Sequence, residues 1–251
     1  MTDSAKKGFA IEVHGVSKAF PDTDGKRFMA LDGVSISIPK GSICVVSGQN
    51  GSGKSLLMTI IAGLEKPTSG YVGTSSKVGL VFQDADSQIL GETPLEDVCF
   101  GLSNIGVRGA DAKDMAIEAL RKVGLHEKRN SPSHFLSGGE KRRLAIASIL
   151  ALGFETIIMD EPYSNLDYAG VKDVNRLIEE LSASGITLVV LTHEIEKCLA
   201  LADRFLVLKK GHLVFDGTPL EGLSLGVETW ENWGIRFPLS TYPTLDSLVW
   251  K

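Results

Sequence analysis

One run of eight residues limits the possible folds more than anything else in the chain: Gly48-Gln-Asn-Gly-Ser-Gly-Lys-Ser55. It follows Ile43-Cys-Val-Val46, a short continuous apolar stretch of the kind that forms a strand covered on both faces. It leads into a helical pattern over residues 55–63 that stops at a glycine. The spacing is G-x-x-x-x-G-K-[ST], and strand, loop and helix follow in the order that this pattern requires. Its glycines let the backbone wrap closely around phosphates, whose oxygens meet the loop amides and the helix N-terminus. Lys54 is placed to reach β- and γ-phosphates, and the Ser55 hydroxyl to ligate Mg²⁺. Gly48, Asn50, Gly51, Ser52, Gly53, Lys54, Ser55 and Leu56 are thus the candidate nucleotide contacts. By itself the motif says only that a nucleotide is bound through its phosphates, so kinases and GTPases remain open.

The rest of the chain arranges itself around this unit. Residues 9–13 and 34–38 alternate apolar and polar side chains, as half-buried strands do, with Asp22-Thr-Asp-Gly25 as a turn between them. Residues 78–82, 156–159, 187–191 and 205–208 are buried-type strands with helical patterns between several of them, which predicts a layered α/β core. The stretch from about 95 to 135 is helical in pattern, clearest over 114–123, and a further helix begins near Gly139. It reads as a helical lobe, about 90–150, inserted in the core. After Gly217 the signal weakens, and Pro219, Pro238 and Pro243 break the tail into short pieces.

Bulk properties exclude several classes. The net charge of -5 disfavours non-specific nucleic-acid binding, so no nucleic-acid partner is expected. Cys44, Cys99 and Cys198 lie far apart without metal-ligand spacing, which suits free thiols in a reducing compartment. No apolar run approaches the about 20 residues that span a bilayer, and Met1-Thr-Asp-Ser-Ala-Lys-Lys lacks the apolar core of a signal peptide. Any membrane role is then peripheral and runs through a partner.

A second half-site lies at Thr156-Ile-Ile-Met-Asp-Glu161, an apolar strand ending in two carboxylates. Beside a phosphate loop, Asp160 is the candidate Mg²⁺ ligand and Glu161 the candidate general base for an attacking water. Leu136-Ser-Gly-Gly-Glu140 then opens a helix with Lys141, Arg142 and Arg143 in its first turn. Ser137 and the Gly138 and Gly139 amides form a phosphate cradle. Three cations oppose the helix dipole there, so a nearby anion is expected to explain them.

With these residues in view, the chain from about Phe9 to Gly217 resembles the ABC ATPases, and Leu136-Ser-Gly-Gly-Glu140 is similar to that family's signature loop. The resemblance implies a P-loop core sheet, an N-terminal antiparallel β subdomain and an inserted α-helical subdomain, with residues 1–217 as the ATPase domain and 218–251 as a C-terminal extension. It implies ATP and Mg²⁺ as ligands and hydrolysis within a dimer, formed with itself or with a related subunit. The signature loop of one subunit, Ser137, Gly138 and Gly139, then completes the other's site. Gln83 matches the glutamine that senses Mg²⁺ and attacking water and touches the transport partner. Asp167, in Ser164-Asn-Leu-Asp167, matches the aspartate that couples the two sites, and His193 the histidine that contacts the γ-phosphate. Phe20 is the candidate for stacking on adenine, with Phe28 as its competitor. Tyr163 stands where many relatives carry Thr, and Glu140 where Gln is commoner.

A finer resemblance concerns the energy-coupling-factor importers of vitamins, cobalt and nickel. Val81-Phe-Gln-Asp-Ala-Asp-Ser-Gln-Ile89 is similar to a stretch of their ATPases, although Ala85 replaces the usual Pro, and Leu95-Glu-Asp-Val-Cys-Phe-Gly-Leu-Ser-Asn-Ile-Gly106 is similar to another. The expected partners are a transmembrane coupling protein, docked beside Gln83, and a substrate-binding membrane subunit, at the cytoplasmic face of the membrane. The alternatives are another ABC transporter class, or a soluble ABC-type regulatory ATPase. Trp230, Trp233 and Trp250 in the tail either pack on the chain's own core or stabilise a dimer.

Overall fold

In a computed structural model that describes residues 8–21 and 27–240, the chain forms nine strands and seven α-helices among the described residues. In chain order these are β1 (Phe9–Pro21), β2 (Arg27–Pro39), β3 (Ile43–Ser47), α1 (Lys54–Ile61), β4 (Ser69–Thr74), β5 (Val78–Val81), α2 (Pro94–Asn104), α3 (Gly109–Lys122), α4 (Gly138–Ala151), β6 (Thr156–Asp160), α5 (Tyr168–Ala183), β7 (Thr187–Leu191), β8 (Arg204–Lys209), β9 (His212–Gly217), α6 (Pro219–Ser224) and α7 (Val227–Trp233). The turn expected at residues 22–25, Pro243 and Trp250 lie outside the described residues.

The strands form two sheets. One is antiparallel in the order β2-β1-β4, and the other runs β5-β6-β7-β3-β8-β9. Only the β8–β9 pair of the second sheet is antiparallel. The apolar runs explain the central strands: every residue of β3 and β7 is buried, as a parallel strand covered on both faces must be. β1 and β2 extend well past the alternating segments that reveal them in sequence. Between Phe9 and Lys18 their pairing shifts register repeatedly, and such irregularities blur the period-2 pattern. β4, with Gly70 and Gly73, and β9, at the sheet edge, carry too weak a pattern to be read from sequence.

The expected helical lobe is present as α2, α3 and the start of α4. α2 opens with a capping box in which Thr93 and Glu96 satisfy each other's backbone N–H, with Pro94 in the first turn. Leu102, Ala116, Leu120 and Leu144 are buried where these helices meet. No helix among the described residues is long and apolar enough to cross a membrane.

The tail does not stand apart. Trp230 is fully buried, stacks on Phe205 of β8 at 5.3 Å between ring centroids, and donates its indole N–H to Gly222 O at 2.9 Å. Trp233 packs on Trp230 and on Phe215 of β9. These two tryptophans take the first of the alternatives left open by the sequence, packing on the chain's own core. Trp230→Ala should therefore lower the free energy of unfolding by about 3–5 kcal/mol, read as a fall in the urea midpoint. A loss below about 1 kcal/mol would mean that α7 contributes little to the core.

Candidate functional site

Register builds the site. Along the parallel sheet Val46 of β3 stands beside Leu191 of β7, Leu191 beside Asp160 of β6, and Met159 beside Val81 of β5. Four strands therefore end level with one another. The glycine-rich loop, Glu161, His193 and Gln83 all leave from the same edge, the carboxyl edge where open α/β sheets place their ligands.

The loop after β3 is held by close backbone contacts. A Cβ on Gly48 (φ 143) would lie 2.0 Å from Leu208 O, and one on Gly53 (φ 99) would lie 2.7 Å from Leu31 Cδ2, so neither position accepts a side chain. Gly211, in the β8–β9 turn, donates to Ser52 O at 3.0 Å and accepts from Asp32 N–H at 3.0 Å. The loop is thereby stitched between the two sheets. Lys54 folds back on it, donating to Gly48 O (2.7 Å) and Gln49 O (3.0 Å). Burial lowers the ammonium's pKa, opposed by Glu161 and Asp160. The Ser52 hydroxyl is buried without a hydrogen-bond partner, aimed into a loop that a polar ligand would complete.

Asp160 and Ser55 are brought together. Burial pushes the Asp160 carboxyl above the ordinary aspartate range, a hydrogen bond from Ser55 pulls it back, Glu161 raises it again and Lys54 lowers it. An oxygen-only pair beside a glycine-rich loop, Asp160 half-buried and Ser55 exposed, fits a hard cation such as Mg²⁺. Glu161 follows in left-handed backbone geometry (φ 47), which a non-glycine residue adopts only under constraint. Its N–H donates to Leu191 O at 2.8 Å, and its carboxylate faces His193, with Oε1 2.9 Å from Nδ1 and Oε2 accepting from His193 N–H at 3.3 Å. The imidazole is 62 % exposed and so open to a ligand. Gln83 is turned to Ser164, its amide 3.4 Å from Oγ.

The signature residues lie elsewhere. Ser137 caps α4: its hydroxyl accepts from Glu140 N–H (3.3 Å), and its own N–H donates to Glu140 Oε2 (2.9 Å). Burial would raise the Glu140 carboxyl, but hydrogen bonds from Lys128 and Ser137 outweigh it and hold the group below the ordinary carboxylate range. Asp167 caps α5, accepting from Gly170 N–H at 2.7 Å. Ser137–Gly139 share an open cleft of about 500 Å³ with Asn165, Leu166, Asp167, Ala169 and Gly170, and no residue of the 48–55 loop lines it.

The cations of α4 correct one expectation. Lys141 pairs with Asp86 at 2.7 Å, Arg142 donates to Ser164 O at 2.6 Å, and Arg143 lies 4.0 Å from Glu140. All three find partners inside the chain, so an external anion is not needed to account for them. Asp86 and Ser164 went unrecognised in sequence because each acts on a residue more than 20 positions away. Asp97 was missed as well, since its link to α4 spans 51 positions: buried, it accepts from Leu90 N–H (2.8 Å), Gly91 N–H (3.0 Å) and Ser148 Oγ (3.0 Å), fixing the segment after Gln83 to α2 and α4. Tyr163 has a structural explanation as well. Its buried hydroxyl donates to Asn175 Oδ1 (2.7 Å), and Asn175 donates to Lys197 O (2.7 Å), tying the loop after β6 to the turn beyond His193. Phe20 and Phe28 are direct cross-strand partners, both exposed, so the two adenine candidates occupy one patch.

The family model described as ABC transporter matches residues 31–164, more than half of the chain. The chain belongs to the ABC transporter family. This ABC ATPase is 39% identical over 225 residues to the cobalt import ATP-binding protein of Rhodobacter capsulatus, covering 84% of this chain and 80% of that one. It is 38% identical over 246 residues to the energy-coupling factor transporter ATP-binding protein EcfA1 of Clostridium novyi, covering 92% and 87%. Among solved structures, the ABC cassette is similar to MJ0796 in a dimeric post-hydrolysis state bound to ADP and Pi, with TM-score 0.73 and 29% identity, covering 83% of this chain and 98% of that one.

Asp97→Ala should leave two backbone N–H groups without their buried acceptor, costing about 2 kcal/mol. Hydrogen exchange at Leu90 and Gly91 should accelerate. Unchanged exchange at both amides would show that Asp97 does not hold this segment.

Proposed function

We propose that this ABC ATPase powers an energy-coupling-factor importer from the cytoplasmic face of the membrane, paired with itself or a related ATPase subunit. Residues 1–217 form the cassette and 218–251 a C-terminal extension. The observation that carries the dimeric reading is the separation of half-sites: the 48–55 loop, Asp160, Glu161 and His193 share one sheet edge, while Ser137–Gly139 line a different cleft with Asp167. A second subunit is the natural source of the missing half. The likeness to a cobalt-import ATPase supports cobalt as cargo, and the energy-coupling-factor resemblance extends the choice to nickel or a vitamin. It equally supports a transmembrane coupling protein and a substrate-binding subunit as partners, the first docking beside Gln83.

In this reading the amides of 48–53 and Lys54 hold the phosphates of ATP, Leu56 carries the loop into α1, and Phe20 or its neighbour Phe28 stacks on adenine. Ser55 and Asp160, with Gln83 nearby, would hold Mg²⁺, which supplies charge neutralisation on the β- and γ-oxygens. Glu161 orients water and takes its proton as the bond to the γ-phosphorus forms and the bond to the ADP oxygen breaks. His193 is shared between Glu161 and the γ-phosphate, so entry of the nucleotide competes with the His193–Glu161 contact and frees the carboxylate for water. Ser137 and the amides of Gly138 and Gly139, from the other subunit, stabilise the transferring charge. Asp167 relays the state of one site to the other.

Glu161→Gln should bind ATP, slow turnover by about 100-fold or more and accumulate a closed dimer on size-exclusion chromatography; near-normal turnover would remove Glu161 as the base. Separately, mixing Ser137→Ala with Lys54→Ala subunits should restore ATPase activity above either variant alone, because one composite site is then intact. A mixture no more active than its components would sink the composite site.

A further inference from the structure

The signature loop presents a local electrostatic conflict. Ser137, Gly138 and Gly139 open α4, where backbone N–H groups and the helix dipole favour an anion. Yet Glu140 sits in the same turn, and its Oε2 is held by the Ser137 N–H itself. The carboxylate is only 14% exposed, so water screens it poorly. A negative charge bound to the loop opposes the approach of another subunit's triphosphate. A glutamine, the commoner residue in the resemblance noted above, would keep an oxygen for the Ser137 N–H without that charge.

The chain carries its own answer. Lys128, in the 3-10 turn His126–Lys128 between α3 and α4, donates to the other carboxylate oxygen, Glu140 Oε1, at 2.6 Å. The two oxygens divide the work: Oε2 closes the cap on Ser137, and Oε1 is neutralised by the ammonium. Arg143 stands farther off, at 4.0 Å, and Lys141 is engaged by Asp86, so Lys128 is the cation in direct contact. It is also the one that lies outside α4, on the connection that enters the signature loop.

We infer that Lys128 is a positioning residue of the signature loop, which neutralises Glu140 and so keeps the Ser137–Gly139 cradle receptive to the γ-phosphate of the opposing subunit. This inference rests on the composite-site reading above. Glu140→Gln removes the charge and keeps an oxygen to accept from Ser137 N–H, so the two residues form a double-mutant cycle in which only their charge coupling is measured.

The test uses the full chain carrying Glu161→Gln, with ATP-dependent dimerisation followed by light scattering. Lys128→Met should raise the ATP concentration for half-maximal dimerisation about fivefold, the upper end for a partly exposed pair. In the Glu140→Gln background the same substitution should cost less than about twofold, and Lys128→Arg should behave as the parent does. A similar loss in both backgrounds, or failure of Arg to substitute, would show that Lys128 acts by packing and not through the Glu140 charge. No loss on Lys128→Met would overturn the inference outright. The complementation of Ser137→Ala by Lys54→Ala subunits is read separately. If those subunits complement while the cycle shows no coupling, the role of Lys128 falls and the composite site stands. If they do not complement, the composite site itself falls.

Discussion

The register of the parallel sheet is the constraint on which the rest depends. Because Val46, Leu191 and Asp160 stand side by side, three strands end at the same level, and the groups that follow them are delivered to one edge without any loop having to search for it. A slip of one residue in any pair would turn its side chains to the opposite face. The fully buried apolar runs of β3 and β7 penalise such a slip, since each strand packs on both faces. Hydrophobic burial in the sheet thus sets the geometry of charged groups at its rim.

The rim itself is a balance of unlike demands. Lys54 is partly desolvated and faces Asp160 and Glu161, while Asp160 is pushed towards neutrality by burial and pulled back by Ser55 and Lys54. Glu161 is held in a left-handed conformation and bound by His193. Such strain and such unbalanced charge persist where a ligand is to enter, because the ligand relieves them. The network of Gln83, Ser164, Arg142, Asp86 and Lys141 then joins the segment after β5 to the first turn of α4. A shift at the sheet edge has a continuous path of contacts to the signature loop.

Much of this was legible in sequence because it rests on local rules. The phosphate loop follows from glycine spacing between an apolar strand and a helix, and the Asp160–Glu161 pair from an apolar run ending in carboxylates. Leu136-Ser-Gly-Gly-Glu140 reads in sequence as the opening of a helix, and the structure adds a capping box between Ser137 and Glu140 there. β4 and β9 were not legible, because edge strands bury one face at most and carry no continuous apolar run. The roles of Asp86, Ser164 and Asp97 towards α4 were hidden because Lys141, Arg142 and Ser148 are distant in sequence, and that of Lys128 because a loop, with no periodic pattern, brings it to Glu140. The purpose assigned to the α4 cations was wrong for a related reason: charge near a helix start was weighed against the dipole, without the carboxylate and carbonyl that the fold brings alongside.

The sequence by itself determined which loop has the spacing of a phosphate cradle, which strand ends in carboxylates, and which family has that order of motifs. Each of those motifs is contained in a few neighbouring residues, where backbone geometry leaves few options. Only the tertiary structure decided what each charge faces, that the tail's Trp230 and Trp233 belong to the core, and that the signature loop opens on a cleft separate from the 48–55 loop. Ion pairs and aromatic contacts act over a few ångströms in space, and the distance along the chain does not foretell which groups the folded sheet will bring within that range.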